Sequence, residues 1–92
     1  MNPPSELLPA VRELLAEVLA LPNGGAALQP GTPLFGSLPE FDSMSVIHLV
    51  TGIERRFGIT VEDAEVSAEL FETVGSMMTF IARKQAALQP QA

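Results

Sequence analysis

The sequence predicts an all-α fold, a small four-helix bundle with a long loop between helices one and two and a short third helix. Three observations carry this expectation. Apolar residues recur at spacings of three and four near 7–21, 46–57 and 74–88, as in helices with one buried face. Pro and Gly cluster between these stretches, above all over 22–33, where they interrupt helical pattern. At 92 residues the chain supports one domain that buries roughly 60–65% of its unfolded surface, which leaves little room for a catalytic cavity. Residues 1–92 are therefore expected to form a single domain, ordered over about 5–86 with a flexible tail over 87–92.

In the first helix Leu7, Leu8, Val11, Leu14, Leu15, Val18 and Leu21 form the apolar stripe, with Arg12, Glu13 and Glu17 off it. Two starts are open: Ser5 as cap, or Pro9 in the first helical position, where its missing amide costs nothing. Pro22-Asn23-Gly24-Gly25 ends the helix. The connection over 22–42 is long for so small a domain, and Leu28, Leu34, Phe35 and Leu38 are its expected core anchors. Pro30 and Pro33 match a Pro-x-x-Pro spacing, but turn prolines account for them more simply.

The second helix is expected over Ser43–Phe57, with Val46, Leu49, Val50, Ile53 and Phe57 inward. Asp42 is its N-cap, accepting from the amide of Met44 or Ser45, with Phe41 packing on Val46 as a hydrophobic staple. Arg55 and Arg56 suit the C-terminus and Gly58 supplies the left-handed stop. Met44, Ile47, His48 and Thr51 are left on another face. Ile59-Thr60-Val61 reads as a loop, since no neighbouring segment offers a strand to pair with it. A short third helix is expected over 64–71 with Val66, Leu70 and Phe71 inward. The last helix follows, capped by Thr73, with Val74, Met77, Met78, Ile81 and Leu88 inward.

Composition excludes several functions. The chain has no cysteine, so it has neither disulfides nor a thiol nucleophile of its own. A net charge of -6 without a basic stripe argues against nucleic acid. No apolar run approaches the ~20 residues of a membrane span, and Met-Asn-Pro-Pro-Ser-Glu has no signal-peptide pattern, so a cytoplasmic monomer is expected. The acidic run Glu62, Asp63, Glu65, Glu69, Glu72 lacks the order of a calcium loop and reads as a solvated face. His48 has no partner ligands for a metal.

Ser43 is the residue with chemical promise. As first residue of a helix its hydroxyl points to water, in a field favouring a phosphate by ~0.3–1 kcal/mol. A catalytic serine needs a base within reach, and His48, five residues on, lies about 140° around the helix. No Gly-x-Ser-x-Gly elbow or Ser-x-x-Lys pair surrounds it either, so no catalytic residue is assigned.

Asp42-Ser43-Met44 resembles the Asp-Ser-Leu motif of acyl carrier proteins. Leu34 and Leu38 before it, the helix ending Arg55-Arg56-Phe57-Gly58-Ile59, and Phe71-Glu72-Thr73-Val74 extend the resemblance over roughly residues 7–85. The resemblance implies that Ser43 carries a covalent 4'-phosphopantetheine arm from coenzyme A. A magnesium-dependent phosphopantetheinyl transferase would attach it, and the arm's thiol would hold acyl groups as thioesters. Asp42 would belong to the motif, and Met44, Ile47, His48 and Thr51 would dock partner enzymes. The chain itself would be no enzyme, and acyl chains could fold back into its helical interior. The strongly acidic second helix of general fatty-acid carriers is replaced here by Ser45, His48, Thr51, Arg55 and Arg56. That departure points to a specialised carrier served by a dedicated ligase or ketosynthase. An aminoacyl or peptidyl carrier, or a helical interaction module without a prosthetic group, are the alternatives.

Overall fold

The computed structural model describes residues 7–35 and 41–88. Ser5, Leu38, the side chain of Leu88 and residues 89–92, each part of a sequence expectation, lie outside the described part. Three helices dominate: α1 (Leu8–Leu19), α2 (Ser43–Phe57) and α3 (Val74–Leu88). The all-α expectation holds; among the described residues the only β-type pairing is an isolated antiparallel bridge between Pro33 and Thr73.

Pro9 sits in the first turn of α1, which begins at Leu8 without a side-chain cap. Val11, Leu14, Leu15 and Leu19 are buried along this helix, with Leu7, Leu8, Val18 and Leu21 packed at the margin. It ends where Ala20 turns left-handed at φ 56°, and Pro22–Gly25 then forms a 3-10 turn. Arg12 crosses back to the loop, its Nε donating to the Leu28 carbonyl at 2.8 Å.

Loop residues 30–35 bind the start of α3 backbone to backbone. Leu34 N–H donates to the Glu72 carbonyl (2.9 Å) and Phe35 N–H to that of Phe71 (3.0 Å). In return Val74 N–H reaches the Thr32 carbonyl (3.1 Å) and Gly75 N–H that of Pro30 (2.7 Å). The loop thus satisfies two amides at the start of α3 that have no partner within the helix. Thr73 supplies the rest of the cap as expected, its Oγ1 accepting from Ser76 N–H at 3.0 Å. A Cβ on Gly75 would lie 2.9 Å from the Pro30 oxygen. Gly75→Ala is therefore expected to lower stability by about 1–3 kcal/mol by forcing loop and helix apart, read from the midpoint of urea unfolding.

The extended run of the loop explains a correction. Phe35, expected as a core anchor, is 54% exposed, while Leu34 beside it is fully buried. Successive side chains of an extended chain point to opposite sides, so only one of the two can face inward.

The expected third helix over 64–71 is instead a single 3-10 turn, Asp63–Glu65, followed by bends and turns. Val66 takes an extended backbone (φ -79°, ψ 106°) that stops the turn. Continuing as a helix would stack Glu65, Glu69 and Glu72 at spacings of four and three, which like charges disfavour. The turn is closed by reciprocal capping between Glu62 and Glu65, and Lys84 of α3 pairs with Glu65 at 2.9 Å. Leu70 and Phe71 are nonetheless buried, and Val66 packs at the core's edge.

The core is continuous from α1 through Leu28, Leu34, Phe41, Leu49 and Ile53 to Val74, Met77, Met78 and Ile81. Phe80, outside the expected stripe, is also buried, with Arg83 and Lys84 at 5.9 and 5.8 Å from its ring. Ile59 and Val61 close the core below α2; Val61 N–H donates to Glu54 Oε2 at 2.8 Å, which fixes this loop without a strand. Among the described residues no helix is long and apolar enough to cross a membrane.

Candidate functional site

The start of α2 follows its sequence closely. Asp42 has an extended backbone (φ -124°, ψ -176°), and its Oδ1 accepts from Ser45 N–H at 2.9 Å. The Ser45 hydroxyl donates to the same oxygen at 3.0 Å. These bonds, the Ser45 amide first and its hydroxyl second, hold the Asp42 carboxyl below its ordinary value of 3.8. The helix ends at Gly58, left-handed at φ 66°, where a side chain would be strained.

Ser43 is exposed as the first residue of α2. The first intrahelical acceptor, the Asp42 carbonyl, takes Val46 N–H at 3.1 Å, so helical bonding begins beyond the Ser43 and Met44 amides. An exposed hydroxyl at a helix N-terminus fits a phosphodiester attachment: the field favours the anion and the hydroxyl is open to an incoming group. Asp42 instead serves the cap, its Oδ1 taking both the amide and the hydroxyl of Ser45.

Phe41 is buried in an aromatic row, its ring 5.9 Å from Phe35 and 5.5 Å from Phe71. The row fixes the chain just ahead of the cap from the loop and from the segment before α3. Met44 (59% exposed) and Ile47 (58%) stand on the open face of α2 together with exposed His48 and Thr51. Ser45 does not join them. It is 8% exposed and turned into the cap, so among the polar residues that stand in place of an acidic docking helix it is not part of the open face. The signal was present: a serine three residues after an aspartate N-cap sits where its amide and hydroxyl both meet the carboxylate. Among the described residues no group of three or more acidic or histidine side chains is placed to hold a metal.

Acidification is expected to weaken this cap. A carboxyl that holds its proton less tightly folded than unfolded contributes stability above its unfolded value and loses it as pH falls through the lower folded value. Glu65, also held down, first by the Glu62 amide and then by Lys84, adds to the same acid limb. Asp42→Asn keeps an acceptor but no charge, so its thermal midpoint should fall less than wild type between pH 5 and pH 2, roughly the span of such a transition. Equal falls for both proteins would show that the Asp42 charge adds nothing.

An exposed serine at a capped helix start is a position from which an attached group can reach outward. Residues 9–81 match the family model described as the phosphopantetheine attachment site. The acyl carrier protein of Beutenbergia cavernae is 33% identical over 81 residues, covering 88% of this chain and 93% of that protein. That of Acidothermus cellulolyticus is 31% identical over 77 residues, covering 84% and 86%. The solution NMR structure of a holo acyl carrier protein from Nitrosomonas europaea superposes with a TM-score of 0.81 at 40% identity, covering 88% of this chain and 98% of that one. The chain belongs to the acyl carrier protein family, whose members bear a covalent phosphopantetheine.

Proposed function

We propose that Ser43 is the attachment point and that the arm holds acyl groups as thioesters, passed between biosynthetic enzymes. The observation that carries this is exposed Ser43 at the N-terminus of α2, beside a cap locked by Asp42 and Ser45. The arm supplies the thiol that this cysteine-free chain lacks. The chain's own residues present the serine, and the chain performs no catalysis. Residues 1–92 act as one carrier domain, a monomer in the cytoplasm.

The partners in this reading are a phosphopantetheinyl transferase and an acyl-loading ligase or ketosynthase. They dock on Met44, Ile47, His48 and Thr51. The only carboxylate in α2, Glu54, is half-buried and bonded to Val61, so the exposed face of the helix is not acidic. This supports a specialised carrier, because electrostatic steering toward basic enzyme patches is missing there. The relatives above are acyl carriers, which favours acyl over aminoacyl cargo.

Incubation of the apo chain with coenzyme A, magnesium and a broad-range transferase tests the reading. Intact-mass measurement should show one phosphopantetheine per chain, and fragmentation should place it on Ser43. No mass gain, or addition elsewhere, would sink it.

A further inference from the structure

An open groove of about 630 Å³ lies between α1 and α2, and its charge pattern sets it apart from the rest of the surface. Its apolar lining comes from Leu14 and Val18 of α1 and from Ile47, with Gly52 close against Leu14. Arg55 and Arg56 stand on the α2 side and Glu17 on the α1 side.

The chain has five cations against eleven acids, and the others are occupied elsewhere. Arg12 bonds the Leu28 carbonyl, Lys84 pairs with Glu65, and Arg83 lies over Phe80 near Glu65. Arg56 pairs with Glu13 across the two helices, and Arg55 is exposed. Glu54, turned inward to Val61, puts no carboxylate on the α2 side of the groove. A second groove, where Leu70 and Phe80 lie beside Arg83, is also lined by Glu65, Glu69 and Glu72, so the α1–α2 groove is the less acidic of the two.

We propose that this groove docks an amphipathic helix of a partner protein. The helix lays an apolar ridge on Leu14, Val18 and Ile47. It carries carboxylates on the flank toward Arg55 and uncharged side chains on the flank toward Glu17. The carboxylates pair with an exposed guanidinium that can bind them in bidentate fashion. Elsewhere the net charge of -6 repels an acidic helix, so the same charges that attract at the groove give it register. The proposal rests on the reading of the chain as a carrier that docks enzymes along α2. It reverses the sign of the expected partner from basic to acidic and adds α1 to the surface.

Two synthetic helical peptides test it, sharing a leucine ridge and one glutamine flank and differing by Glu or Lys on the other. Titrated into the isotope-labelled apo chain at low salt, the Glu peptide should shift the amides of Val18, Ile47, Thr51, Gly52 and Arg55. Arg55→Glu and Ile47→Asp, both at exposed positions, should each weaken it at least tenfold without moving the unfolding midpoint. The Lys peptide should shift residues 62–72 instead. A Glu peptide that leaves the groove amides unmoved, or a Lys peptide that binds the groove equally, overturns the proposal. The titration uses the unmodified chain, so it is read separately from arm attachment: a chain that binds the Glu peptide but takes no arm loses only the carrier reading.

Discussion

Ser43→Ala is expected to abolish the mass gain from coenzyme A and the transferase, while the unfolding free energy should stay within about 0.5 kcal/mol of wild type, as for other exposed substitutions. Ser45→Ala gives the opposite result. Its hydroxyl is buried against the Asp42 carboxylate, so losing it should cost about 1 kcal/mol of stability and leave modification intact. The pair matters because two serines flank Met44 and only their surroundings distinguish them. One faces water at the helix start; the other is committed to the cap. If Ser45→Ala lost the arm and Ser43→Ala kept it, the attachment site would be misplaced by half a turn of helix.

Leu34→Ala is expected to have the largest effect on stability. The side chain is fully buried in the middle of the loop, and truncation at such a site costs about 2–5 kcal/mol. That is a large part of the roughly 5–15 kcal/mol that holds a domain of this size together. Amide exchange should report where the loss falls. Leu34, Phe35, Val74 and Gly75, whose bonds join the loop to α3, should lose protection ahead of Leu49 and Ile53 in α2. Uniform loss across all of them would mean that the loop and the helices open together.

Much of α2 was legible because its signals are local. Asp42 and Gly58 mark its ends through bonds and dihedrals set within a few residues, and both ends fall where the sequence places them. The open face of Met44, Ile47, His48 and Thr51 follows from the helical period alone. Other features depend on what lies across the fold. Phe35 faces out because the bonds to Phe71 and Glu72 set the phase of an extended segment, and no period within the loop reveals that phase. Phe80 is buried three residues after Met77, a position the helical period offers beside Ile81, and Arg83 and Lys84 of the same helix stand beside its ring. The segment after α2 spaces its apolar residues as a helix would, yet forms only a 3-10 turn. Its carboxylates and the extended Val66 favour a turn that still brings Leu70 and Phe71 inside.

The bonds between Leu34 and Glu72 and between Phe35 and Phe71 also have a topological consequence. They clasp a ring of about forty residues, which holds the whole of α2 and the Asp42–Ser43 start, at a closure entropy of about 3 kcal/mol. Inside the ring, α2 can form from local signals before the clasp shuts. How the start of α2 stands relative to the start of α3 depends on this clasp, so loosening it, as Leu34→Ala would, is expected to disturb the setting of Ser43.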